Sequence, residues 1–152
     1  VVDYFLNANI KNNKMKTEIN LYILFGILFL HWVFDFVFQT GEQAVNKSTS
    51  NKYLTAHVLT YTGSWSLCIS AYVWFFYVKE VDGVYQMAKG GNLLIIFFPT
   101  ITFICHWITD YYTSRLNTYL YKKSDFHNFF VSVGFDQLLH YAQLLITFQI
   151  LS

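Results

Sequence analysis

Four stretches of this chain, at about 19–38, 54–78, 93–112 and 129–151, stay apolar for the length of a bilayer-crossing helix, and each carries at least one histidine. In three of them the histidine has an aspartate four residues away: His31/Asp35, His106/Asp110 and, in reversed order, Asp136/His140. The fourth carries His57. A hydrocarbon core takes about 20 predominantly apolar residues per helix, and a backbone in lipid satisfies its polar groups most simply as a helix. The pattern therefore predicts an all-α integral membrane protein, a four-helix up-down bundle over residues 16–152. Residues 1–15 are polar and Asn-rich and are expected to form a flexible N-terminal extension.

Composition agrees with the membrane class. Of 152 residues, 55% are hydrophobic and only 12% are charged, too few to cover a soluble domain with that much apolar surface. The formal charge of +1 gives no electrostatic basis for nucleic-acid binding, so none is expected, and the partner in view is membrane lipid. Cys68 and Cys105 lie inside apolar stretches without a metal or redox spacing and read as packing residues.

Ionisable residues are costly in such stretches. An aspartate at the centre of a transmembrane helix costs about 2.5–3.5 kcal/mol on insertion scales. In an up-down bundle, the ends of the first and third helices and the starts of the second and fourth lie at one membrane face. His31, Asp35, His57, His106, Asp110, Asp136 and His140 all fall in that half of the bundle. Residues i and i+4 share a helix face, so each pair aims a nitrogen and an oxygen inward, and the reversed order in the antiparallel fourth helix keeps its carboxylate toward the same membrane face. The strings His31-Trp32-x-x-Asp35-Phe36 and His106-Trp107-x-x-Asp110-Tyr111 also match, which suggests a duplicated helix hairpin with His57 and His140 as counterparts.

Imidazoles and carboxylates converging from facing helices are ligand chemistry for a divalent metal, zinc first, with manganese or iron also compatible. One or two ions are expected from these seven residues. An open coordination position would activate water for hydrolysis, with Asp110 and Asp35 as the candidate catalytic carboxylates. Lys47, Lys52, Arg115, Lys122 and Lys123 gather at the same face and suit an anionic lipid or phosphate-bearing substrate. Three other readings use the same residues: a non-catalytic scaffold or partner-binding protein held by a structural metal or by interhelical hydrogen bonds, a haem-binding bundle with His31 and His106 or His57 and His140 as axial ligands, and an ion or proton conduit. Interhelical polar contacts average about 0.6 kcal/mol, less than one carboxylate costs, and an aspartate one turn from each histidine suits a haem edge poorly. His127, in a predicted loop, is expected to be a surface residue. Gln39 falls on the Asp35 stripe, and Tyr61, Tyr111 and Tyr141 lie near the candidate ligands.

The ordered string from His31 to Thr40, followed by Asn46-Lys47-Ser48, His57, His106-Trp107-Ile108-Thr109-Asp110-Tyr111 and Asp136-Gln137-Leu138-Leu139-His140, resembles a domain-of-unknown-function family of small bacterial and bacteriophage inner-membrane proteins with intramembrane HxxxD motifs. More loosely, it is similar to membrane-bound metal-dependent hydrolases. The resemblance covers nearly everything after Met15. It implies a four-span metal site in a multi-pass protein of the bacterial inner membrane and specifies no substrate.

Overall fold

The computed structural model describes residues 20–88 and 90–152, so the expected extension at 1–15, the first residue of the first predicted span and Lys89 lie outside the described residues. The described chain is mostly helical. Helix α1 (Leu21–Trp32) runs into a π-helical segment (Val33–Val37), followed by the short α2 (Gly41–Asn46), α3 (Asn51–Tyr77), a hairpin of β1 (Val78–Val81) and β2 (Val84–Met87), α4 (Gly91–Lys122) and α5 (Phe126–Leu151). Helix α4 packs along both α3 and α5, while α1 lies against α5 and its π segment against α3.

The buried faces follow helical periodicity. On α4 every fourth residue from Leu94 through Phe98, Thr102, His106 and Asp110 to Ser114 is buried. On α3 the sequence is Leu54, His57, Tyr61, Trp65, Ile69 and Val73; on α5 it is Ser132, His140, Leu144 and Phe148. Each stripe is polar along one half and apolar along the other. Ile27, Trp65, Ile69, Val73, Leu94, Phe98, Leu144 and Phe148 form the apolar half of the interior.

The outside is the reverse of a soluble protein's. Phe25 and Phe29 on α1, Leu59 and Leu67 on α3, Ile96 and Ile104 on α4, and Phe135 and Ile146 on α5 are all exposed, while four histidines and two aspartates are at most 4% exposed. By length and composition α4 and α5 are each able to cross a membrane. The α1 and π stretch, Leu21–Val37, is apolar but shorter. Helix α3 is 27 residues long and diluted by hydroxyls, three of which bond back to the carbonyl four residues earlier: Thr60 to Ala56, Ser64 to Thr60 and Ser66 to Thr62. That bonding supplies their polar need without water.

The connections carry structure of their own. The stretch from 113 to 128, between the third and fourth predicted spans, is helical except at 123–125. Ser124 takes a left-handed φ of 58°, the Ser124 amide bonds Tyr121 O at 3.0 Å, and the Asp125 amide bonds Leu120 O at 3.1 Å. This is a Schellman stop, and Asp125 then accepts from the Asn128 amide to start α5, as its sequence position predicts. The connection between the second and third predicted spans is an antiparallel hairpin in which Asp82 and Gly83 both have positive φ, the geometry of a two-residue primed turn. Between the first and second spans a short helix forms, opened by a capping box between Thr40 and Gln43.

Candidate metal centre

The seven predicted residues do come together, yet the closest contacts run between helices and not within the HxxxD pairs. Within the pairs, His31 Nε2 is 3.7 Å from Asp35, His106 Nε2 is 3.6 Å from Asp110 and His140 Nε2 is 3.4 Å from Asp136. Across helices, His57 Nε2 lies 3.1 Å from Asp35 Oδ1 and His140 Nε2 lies 3.1 Å from Asp110 Oδ1. The wider π turn, closed by the Phe38 amide on Val33 O at 3.0 Å, presents Asp35 to α3. Such single π turns insert an extra residue and recur at functional positions in helices.

Two groups of ligand atoms are close enough to share an ion: Asp35, His57 and His106, and His106, Asp110 and His140. In the first, Asp35 Oδ1 is 3.1 Å from His57 Nε2 and 3.4 Å from His106 Nε2, and the two nitrogens are 3.2 Å apart. Asp110 Oδ2 stands beside this group, 3.4 Å from His57 Nε2 and 3.6 Å from His106 Nε2. Ligands of a tetrahedral ion with bonds of about 2.0–2.1 Å stand about 3.3 Å apart, so Asp35, His57 and His106 fit three corners of such a shell. Two imidazole nitrogens at 3.2 Å cannot both carry a proton toward each other. One lone pair must face inward, as ligation requires. Among the described residues, Nδ1 of His57 and Nδ1 of His106 are buried without a hydrogen-bond partner.

His31 and Asp136 stand outside both groups. Gln137 Oε1 accepts from His31 Nε2 at 2.9 Å, and Tyr61 Oη sits 2.7 Å from His31 Nδ1, so both ring nitrogens are engaged. Asp136 accepts from Thr113 at 2.5 Å and from Gln137 at 3.0 Å. These two residues form a hydrogen-bonded ring beside the ion-sized group. His127 is exposed on the first turn of α5, away from the cluster.

Sequence reasoning placed Lys47 on the rim but missed its role. Its Nζ is 2.9 Å from Asp110 Oδ2. Burial works against its charge, but Asp110, with Asp35 beside it, outweighs burial and holds the Lys47 ammonium above the ordinary lysine pKa. No periodicity connects Lys47, at the end of α2, with α4. Tyr61, named from the sequence as near the candidate ligands, does bond His31, and Thr113 was legible in principle as one turn beyond Asp110. Of the other basic residues, Arg115 bonds Asn51 at 2.8 Å and lies 3.7 Å over the Tyr111 ring, and Lys123 lies over Tyr119. Neither points its charge at the cluster.

No protein-family model, curated protein or solved structure matches this chain.

Proposed function

We propose that the chain is a multi-pass membrane protein whose α1, α3, α4 and α5 form a four-helix bundle around a single divalent metal, and that it hydrolyses an anionic or phosphate-bearing lipid. The observation that carries the metal is the spacing of Asp35 Oδ1, His57 Nε2 and His106 Nε2, which lie 3.1–3.4 Å from one another. The apolar exterior and the costly buried carboxylates support the bundle in lipid. One ion is favoured over two because His106 belongs to both groups and its Nε2 has one lone pair to give. His140 then serves as a partner of Asp110, its Nε2–H fixing the carboxylate through Oδ1.

Zinc suits this His/Asp donor set, with manganese or iron as competitors. A divalent ion held by Asp35, His57 and His106 would keep a fourth position for water, supply Lewis acidity and lower that water's pKa, with Asp110 beside it. The chain's own residues do the rest. Asp35 lines a cleft beside the cluster, so it is the carboxylate placed to meet a substrate. Asp110 binds Lys47, which offsets one negative charge of the site. Both ring nitrogens of His31 are bonded to Tyr61 and Gln137, and His57 Nε2 and His140 Nε2 each face an aspartate oxygen at 3.1 Å, so neither axial pair presents free nitrogens to a porphyrin, which favours an ion over haem. The assignment accords with the resemblance to membrane-bound metal-dependent hydrolases.

A second reading has a specific observation behind it. Every one of the seven ionisable residues already touches another polar group, with Lys47 on Asp110, and a closed network of this kind is able to join helices without metal. Elemental analysis of detergent-purified protein separates the two. The proposal expects about one equivalent of zinc or manganese and a hydrolytic activity on anionic lipids that Asp110→Asn removes while the protein stays folded. Absence of metal, with no rise in thermal stability on adding either ion, overturns the metal reading. Metal without turnover on phosphate and acyl lipids moves the function to a structural metal site.

A further inference from the structure

A cleft of about 380 Å³ opens between the π segment with α2 on one side and the meeting of α4 and α5 on the other. It shares Asp35 and Asp136 with the cluster, and Lys47 and Lys122 bring two ammonium groups to its lining. Phe36, Phe129 and Val133 form an apolar part of the same wall. Polar head and apolar flank therefore meet in one cavity.

Three residues of the lining each carry a buried side-chain polar atom that lacks a hydrogen-bond partner among the described residues: Gln39 Nε2, Ser114 Oγ and Asn117 Oδ1. Ser114 is only 9% exposed and continues the buried stripe of His106 and Asp110 by one turn. Buried polar atoms left unpaired are uncommon, because each forfeits its bonds to water. This trio is chemically mixed. Gln39 offers an N–H, Asn117 a carbonyl, and Ser114 a hydroxyl that serves either way. A simple anion satisfies the amide and leaves the carbonyl unmatched. A phosphate ester that also bears a free hydroxyl matches all three, with Lys122 on its charge.

We propose that this cleft binds the head of a phosphate ester carrying a free hydroxyl, of which phosphatidylglycerol is the membrane form and glycerol phosphate the soluble one. Lys122 pairs with the phosphate, Gln39 donates to a phosphate or ester oxygen, Asn117 accepts from the head-group hydroxyl, and the apolar wall takes the first carbons of an acyl chain. The inference deepens the proposed function by naming the substrate class, and it rests on that reading only for the membrane setting, not for the metal or for turnover.

The test is binding of dihexanoyl phosphatidylglycerol and dihexanoyl phosphatidylcholine to the full chain in mild detergent, followed by calorimetry. The glycerol head is expected to bind at least about tenfold more tightly, since choline has no hydroxyl and brings a cation toward Lys122. Asn117→Leu is expected to weaken the glycerol lipid about tenfold and leave the choline lipid unchanged, whereas Lys122→Gln weakens both, because both carry the phosphate. Lys122 is exposed, so its replacement leaves the interior intact. Competition by glycerol 1-phosphate at matching concentration assigns the site to a soluble ester, and its failure to compete assigns it to the lipid. Equal affinity for the two lipids, or no loss in either variant, overturns the proposal. Zinc uptake measured on the same samples keeps the two readings apart: head-group preference without metal fails only the metal centre, and metal without preference fails only the cleft.

Discussion

Asp35 with His57 and Asp110 with His140 are the same contact made twice, an Oδ1 and an Nε2 at 3.1 Å between the first and second helix of each half of the chain. Their settings differ. The second half is a continuous helical hairpin, turned by Ser124 and Asp125, and its aspartate also carries the Lys47 ammonium. In the first half the leading helix loosens into a π turn at Asp35, and that aspartate lines the cleft. A repeated sequence signal has thus become one carboxylate braced by a lysine and one that borders the cleft, and the neighbours rather than the motif decide which is which.

The largest test of that difference is removal of each aspartate. Asp110→Ala leaves the half-buried Lys47 ammonium without its partner and is expected to cost about 2–3 kcal/mol in unfolding experiments. Asp35→Ala strands imidazole partners and no lysine and should cost about 1–2 kcal/mol. Adding Lys47→Met to Asp110→Ala should recover part of the loss. Equal costs, with no recovery, would mean that Lys47 does not brace the second half.

Metal removal comes next. Stripping the protein with a chelator and restoring zinc at about 100 times its dissociation constant should return about 2.7 kcal/mol of stability. The same titration compares the halves: His57→Ala and His106→Ala are each expected to lose more than about a hundredfold in zinc affinity, and His140→Ala about 10–100-fold as the partner of Asp110 beside the ion. A larger loss at His140 than at His57 would shift the ion to His106, Asp110 and His140.

His31 sharpens the same comparison at smaller scale. Its sequence counterpart is His106, but both its nitrogens are bonded to Tyr61 and Gln137. His31→Ala is therefore expected to lower zinc affinity about tenfold, as for an outer-shell partner, and His127→Ala to leave it unchanged. A loss at His31 as large as at His106 would restore it as a direct ligand.

The smallest effect belongs to the end of the molecule remote from the cluster. Gly83 sits at φ 76° in the hairpin turn, so Gly83→Ala should cost about 1 kcal/mol with zinc affinity untouched. A change in metal binding there would show coupling along α3 or α4 that the packing does not suggest.

Much was legible in the sequence because it lies on single helices. Apolar length and the 3.6-residue period mark where helices run and which faces turn inward, and the i,i+4 spacing puts His106 with Asp110 and Asp136 with His140 on one side of a helix. The insertion cost of a carboxylate was enough to mark those faces as a site. The ten-residue extension of α4 past its predicted span was hidden, because polar residues from Thr113 to Lys122 look like a loop when hydropathy is the guide. The hairpin was hidden for the opposite reason, since its four-residue strands are too short for alternation to register.

What only the tertiary structure decided is which atoms meet. The closest histidine–aspartate contacts join different helices, and the lysine that braces Asp110 comes from a segment 63 residues away in the chain. The π turn at Asp35, the diversion of His31 to Tyr61 and Gln137, and the cleft with its unpaired Gln39, Ser114 and Asn117 all depend on how helices rotate and lean against one another. The sequence by itself determined that histidines and aspartates would face inward, because period and desolvation act locally along each helix. Packing alone selected the ligand set, because interhelical distances are a property of the whole assembly.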